Sequence, residues 1–189
     1  MNEKIGLIVD GEGDYAAFKK RFPSFKVLKT DGPRSHTAAV HKIASQARKQ
    51  ISILEALECR RIIVVMDFEG RNVRYTRFLS MTENLFRNLG KSIPVSVAIP
   101  NRMIENWYLA DIEFLSKQKS FIRSNIKQRN YEGTDGKKEL KRCFIKKVAY
   151  SETKHGPQIF IALRLSVARK NSASFDHFLR LLKAPATYN

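Results

Sequence analysis

The sequence predicts an α/β domain: a mostly parallel sheet with helices on both faces, followed by a basic C-terminal extension. Three observations carry this. Continuous apolar, β-branched runs recur at IGLIV (5–9), RRIIVVMD (60–67) and IPVSVAI (93–99), the mark of strands buried on both faces. The stretches between them carry apolar residues at the helical period of about 3.6. Strand and helix alternate, which calls for parallel strands joined by crossovers.

The elements follow in order. After the first strand, DYAAFKKRF (14–22) reads as a helix with Tyr15, Phe18 and Phe22 on one stripe. Phe25 to Leu28 is a short strand, and TDGPRSH is a loop. A long helix is expected from Thr37 to Glu58, with apolar residues at 40, 43, 44, 47, 51, 54 and 57. The strand ending at Asp67 leads through FEGRN to a helix over 74–89, carrying Phe78, Leu79, Leu85, Phe86 and Leu89. After the strand at 93–99, Pro100 and Asn101 lead into a helix over 102–116. Trp107 and Tyr108 lie at helical spacing with Met103 and read as core. Residues 1–116 are thus expected to form the α/β core, and 117–189 a largely helical basic extension packed on it. Within that extension 117–147 looks helical apart from YEGTDG, and YSETKHGPQ reads as a loop. QIFIALRLSVA fits strand or helix. SASFDHFLRLLK is a helix with Ser172 or Ser174 as its N-cap.

Charge narrows the class of partner. Thirty-five Lys and Arg face eighteen Asp and Glu, a net charge of +17. The excess is densest at 117–147, where eleven basic residues meet three acidic ones. Such a balance favours a polyanion, above all nucleic acid, held through phosphate contacts and counterion release. Lys137, Lys138, Lys141, Arg142, Lys146 and Lys147 are the expected nucleic-acid-binding residues of this segment. No apolar run approaches the ~20 residues that span a bilayer, so no membrane partner is expected. The opening residues do not read as a signal peptide. Cys59 and Cys143 lack metal-ligand or redox spacing and read as reduced thiols, which places the chain in the cytoplasm.

Three acid clusters stand at the strand ends: Asp10, Glu12 and Asp14; Asp67 and Glu69; Glu105 with Asp111. Ligands of open α/β sheets bind just past the carboxyl ends of strands, and neighbouring strands lie about 4.8 Å apart, so these acids can converge. Converging carboxylates repel unless a cation lies between them. Oxygen-only donors suit Mg²⁺ or Mn²⁺, which neutralises phosphate charge and activates water. The plainer alternative is that acids after strands cap helices and shape turns. Asp10 fits an Asx turn and Asp14 a first-turn cap. Arg71 and Arg102 flank the acids and fit either a bound phosphate or salt bridges to those same acids. His36, His41, His155 and His177 show no joint ligand spacing. His36 fits a solvated loop histidine or a phosphate contact.

IVDGEGDYAAF, followed some fifty residues later by VVMDFEGR, resembles the Toprim pattern of topoisomerases, primases, ribosomal-RNA-processing nucleases and recombination mediators. IPNRMIENWYLAD further resembles a bacterial Toprim-like family of unknown function, often linked to anti-phage defence. The resemblance implies a Toprim/Rossmann-like sheet with Glu12 as catalytic glutamate and metal ligand. It also implies Asp67 and Glu69 as the metal-binding pair and Glu105 as a further catalytic acid. Asp-Phe-Glu replaces the usual Asp-x-Asp, so Glu69 reaches one methylene further. The implied activity is a Mg²⁺-dependent phosphodiesterase, an endonuclease on DNA or RNA, with an ATPase as a possible protein partner. The alternatives are a non-catalytic Toprim module that grips nucleic acid or a protein, and a regulatory subunit or toxin.

Overall fold

The structure is a computed structural model that describes residues 4–30, 38–89 and 93–184. The expected α/β architecture is present. Four strands, β1 (Ile5–Val9), β2 (Lys26–Lys29), β3 (Arg61–Val65) and β4 (Val95–Ala98), form an all-parallel sheet in the order β2-β1-β3-β4. Ile8 lies opposite Val64, and Val64 opposite Val97, so the carboxyl ends of the three inner strands stay nearly level.

The sheet separates two apolar layers by the period-two rule of a pleated strand. Ile8, Ile62, Val64, Val95 and Val97 face α2 (Val40–Ala56) and α3 (Tyr75–Arg87), meeting Ile51, Leu54, Phe78 and Phe86. Leu7, Val9, Ile63, Val65 and Ala98 face the other way. There they are covered by α1 (Glu12–Arg21), α4 (Ile104–Leu109), α7 (Glu152–Ala162) and α9 (Ala173–Lys183). Trp107 and Tyr108 are core, as expected, each at most 1% exposed. Trp107 stacks on Phe178 at 5.2 Å, and Phe18 meets Phe160 at 4.9 Å and Phe178 at 5.6 Å. Residues beyond 117 therefore supply half of one core layer rather than an appendage on its surface.

Three local expectations differ from the structure. The helix expected over 102–116 is two helices, α4 and α5 (Ile112–Gln118), broken at Ala110-Asp111. The buried Asp111 accepts from the backbone N–H, Nε and Nη2 of Arg164 at 3.1, 3.0 and 2.6 Å, and so serves packing rather than the acid site. Residues 117–147 hold only one further helix, α6 (Gly136–Cys143). The preceding loop is organised by buried Asn106, whose Nδ2 donates to the Tyr131 and Thr134 carbonyls. YSETKHGPQ is not a loop: it holds the first turns of α7, capped by the Ser151 hydroxyl, which accepts from Lys154 N–H. Pro157 stands inside that helix and gives up one backbone donor. The C-terminal run is α8 (Leu165–Asn171) and then α9, capped by Ser172.

Gly13 sets how close α1 comes to α7. A Cβ at that position would lie 2.9 Å from Glu152 Cβ and 3.1 Å from the Glu152 backbone carbon. Gly13→Ala must push the two helices apart, with a loss of about 1–3 kcal/mol, as overpacking typically costs. Urea unfolding measures this directly, and a loss below about 0.5 kcal/mol would show that the contact yields freely.

Candidate acid site at the sheet edge

The strand order reverses direction between β1 and β3, where chain connections leave to opposite sides. That is where open α/β sheets form a crevice. Asp10 follows β1 directly, Asp67 lies two residues past β3, and Glu105 opens α4 beyond β4. Asp67 continues the pleat of Val65, two residues on, toward the α1 side of the sheet. Its Oδ1 accepts from Ile104 N–H at 3.0 Å, which ties the β3 loop to the start of α4.

The acids of the DGEGD turn divide by helical angle. Asp14 precedes the buried Phe18 by one turn, so both lie on the inward face of α1. Glu12 stands two residues earlier, about 200° around the helix, and its largely exposed carboxylate pairs with Lys29 on the outer strand β2. The structure thus differs from the sequence expectation for this turn: Asp14 enters the crevice, and Glu12 turns to its flank. Asp10 accepts from the Thr30 hydroxyl at 3.2 Å.

The crevice acids act on one another. Burial raises the Asp14 carboxyl from 3.8 to about 7, aided by the charges of Glu105, Asp10 and Glu152 and opposed by a hydrogen bond from the Gly11 backbone. Burial likewise drives Asp67 well above the usual carboxylate range, with Asp14, Glu105, Asp10 and Glu69 adding to it. Both side chains still keep part of their surface open, as befits the floor of a crevice. Glu105, 2% exposed, is raised chiefly by burial. Lys137 and a hydrogen bond from the Tyr150 hydroxyl at 3.1 Å pull it the other way.

Three members of the site went unread in the sequence as such. Tyr150 and Glu152 were hidden because Gly156 and Pro157 made their segment look like a loop. The Ser151 cap, followed at once by an acid, was the available helix signal. Lys137 was expected on a nucleic-acid surface, but its Nζ meets Glu152 Oε1 at 2.7 Å at the edge of the crevice. Burial opposes its charge, yet the bond to Glu152 and the fields of Glu105, Glu152 and Asp67 outweigh this and raise its pKa.

The other basic candidates divide as well. Lys138, Lys141 and Arg142 are exposed and, with Lys137 and Asp135, line a cleft of about 440 Å³ beside the crevice. Lys146 and Lys147 are exposed further along the chain. Arg71 turns away: it donates to the Ala38 carbonyl at 2.7 Å and lies over the Phe78 ring at 4.6 Å. Arg102 stays at the crevice, and its carbonyl accepts from Glu69 N–H. Both residues have positive φ, 96° for Arg102 and 55° for Glu69, a conformation that costs a non-glycine residue energy and gathers at functional sites. His36 lies outside the described residues.

The donor set is oxygen-rich and suits a hard divalent cation. Asp67 accepts from Ile104 N–H and Glu105 from the Tyr150 hydroxyl, and these bonds hold the two carboxylates in place. Among the described residues, no three Asp, Glu, His or Cys side chains form a ready metal cage.

The raised carboxyls fix a sign. A group whose folded pKa exceeds its unfolded value contributes stability fully below the unfolded value, and loses it as pH rises through the folded one. In EDTA, the melting temperature should fall as pH climbs from about 4 through about 7, the range over which Asp14 loses its proton. Asp14→Asn should flatten that fall. Thermal melts across this range check it, and an unchanged slope in the variant would remove Asp14 from the cluster.

No curated protein and no solved structure matches the chain. One protein family does, described as a domain of unknown function, DUF4276. Its match runs over residues 8–183 and takes in every acid of the crevice from Asp10 to Glu152, so the chain belongs to that family.

Proposed function

We propose that the protein is a Mg²⁺- or Mn²⁺-dependent phosphodiesterase of Toprim type that cuts nucleic acid. The observation that carries this is the meeting of Asp14, Asp67 and Glu105 at the carboxyl edge of a parallel sheet, with raised proton affinities and a cationic cleft alongside. Burying mutually repelling carboxylates costs stability. A site that carries this cost has an evident use for a cation.

Asp67 and Glu105 are the residues that would hold the metal, each steadied through one oxygen by Ile104 N–H or Tyr150. When bound, the metal would offset phosphate charge and make water more acidic. Asp14, at about 7, is matched to neutral pH and takes the proton from the attacking water. Lys137 stands at the crevice edge as the cation nearest an incoming phosphate. Lys138, Lys141, Arg142, Lys146 and Lys147 add a cationic surface beside it for phosphate, with Lys146 and Lys147 on the strand's backbone. This assignment replaces the Glu12-centred site implied by the Toprim resemblance with one centred on Asp14.

A second reading is a module that binds nucleic acid without cutting it, for which the exposed basic residues beside the crevice would suffice. Plasmid, single-stranded DNA and total RNA, incubated with Mg²⁺, Mn²⁺ or EDTA, decide between the two. Cutting should require the metal. Asp14→Asn and Asp67→Asn should each lower it by about 100-fold or more, the usual scale for loss of a proton-transfer group. Glu12→Gln should stay within a few-fold of the parent. A collapse in Glu12→Gln, with Asp14→Asn active, would return the site to Glu12. Binding without cutting under every metal would leave the second reading.

A further inference from the structure

Beside the acid crevice, the first turns of α6 present Lys137, Lys138, Lys141 and Arg142 to one cleft of about 440 Å³. Positions i, i+1, i+4 and i+5 share one side of a helix, so these four cations face one open, shallow cleft. The size is at the lower end of small-molecule sites, roughly 300–1,000 Å³. It admits one phosphorylated nucleotide and is too small for a length of duplex.

The charges are already partly committed. Lys137 pairs with Glu152 at 2.7 Å and Arg142 with Glu139 at 2.7 Å. Asp135 also lines the cleft, and its carboxylate accepts from Lys138 N–H as the cap of α6. Among the described residues, Lys138 and Lys141 are paired with no acid, and both are exposed one helical turn apart. Two uncommitted ammonium groups at that spacing match a dianion. An internal phosphodiester carries one negative charge, whereas a phosphomonoester carries about −1.5 to −2 at neutral pH.

We infer that this cleft is a subsite for the terminal phosphate of a nucleic-acid strand, seated by Lys138 and Lys141 next to the acid crevice. It rests on the nucleic-acid reading above and sharpens it: the substrate is a strand with a phosphorylated end, and the end sets where the crevice meets the chain.

The test measures binding alone, in EDTA, so it stands apart from whether the protein cuts. Fluorescence anisotropy compares short single-stranded DNA and RNA of one sequence bearing a 5′-phosphate, a 3′-phosphate or hydroxyl ends. The full-length chain should bind one phosphorylated form about tenfold tighter than the hydroxyl form, the order supplied by one charge-assisted contact. Which end is preferred identifies the polarity. The double variant Lys138→Ala/Lys141→Ala should bring the ratio to about one. Lys146→Ala/Lys147→Ala removes the same charge from the neighbouring segment and should weaken all forms alike, leaving the ratio intact. Excess inorganic phosphate should compete the preference away while hydroxyl-ended strands stay bound. Equal affinity for all ends overturns the inference. So does a ratio lost equally in both double variants, because the preference would then be general electrostatics.

Discussion

The close approach of α1 and α7 over one face of the sheet is the contact on which the rest depends. It exists because Gly13 has no side chain to hold Glu152 away. That contact brings an acid from residue 152 against an acid from residue 14. It also seats Phe160 on Phe18 and closes the aromatic layer that Trp107, Phe175 and Phe178 complete. Site and core are therefore assembled by the same helix pair. In the sequence, the glycines of DGEGD suggest backbone drawn close to a ligand. In the structure, the second of them admits a neighbouring helix.

Two opposed electrostatic regimes sit side by side on this frame. The acids are gathered where burial and mutual repulsion favour their protonated forms. Lys137 is the basic residue that pairs with Glu152 at the edge of the crevice, while Lys138, Lys141, Arg142, Lys146 and Lys147 are exposed. A protein of net charge +17 can hold such a cluster because it is small, local and bordered by cations. On the proposed reading, a polyanion drawn to the outer surface would meet a carboxylate floor that repels it until something neutralises that floor, and recruitment, which depends on salt, would be separate from chemistry.

The strands were legible because a parallel sheet buried on both faces leaves continuous apolar runs, and all four were placed. The long helices over 40–56 and 75–87 were legible from their period. The second half was harder because its order comes from tertiary contacts. Asn106 shapes the 131–134 loop from twenty-five residues away, and no local pattern announces that. α7 contradicts its own proline and is held by packing instead. Asp67 and Glu105 stand out in the sequence as acids past buried strands, and the structure sets both beside Asp14. Glu12 and Asp14 differ in their angle to Phe18, six residues against four, which residue type alone leaves open.

Arg61 points to a consequence in time rather than space. From the start of β3 it donates to the carbonyls of Leu181, Leu182 and Ala184, satisfying the open end of α9 from some 120 residues away. Arg21 does the same for Ile161 and Leu163 at the end of α7. Such pairings close only after most of the chain exists, and long-range contacts of this kind slow folding. Until residues 173–184 leave the ribosome, Trp107 lacks Phe175 and Phe178, and one face of the sheet lacks part of its cover. The nascent chain therefore carries an exposed aromatic surface through most of its synthesis, the condition under which chains aggregate or require a chaperone.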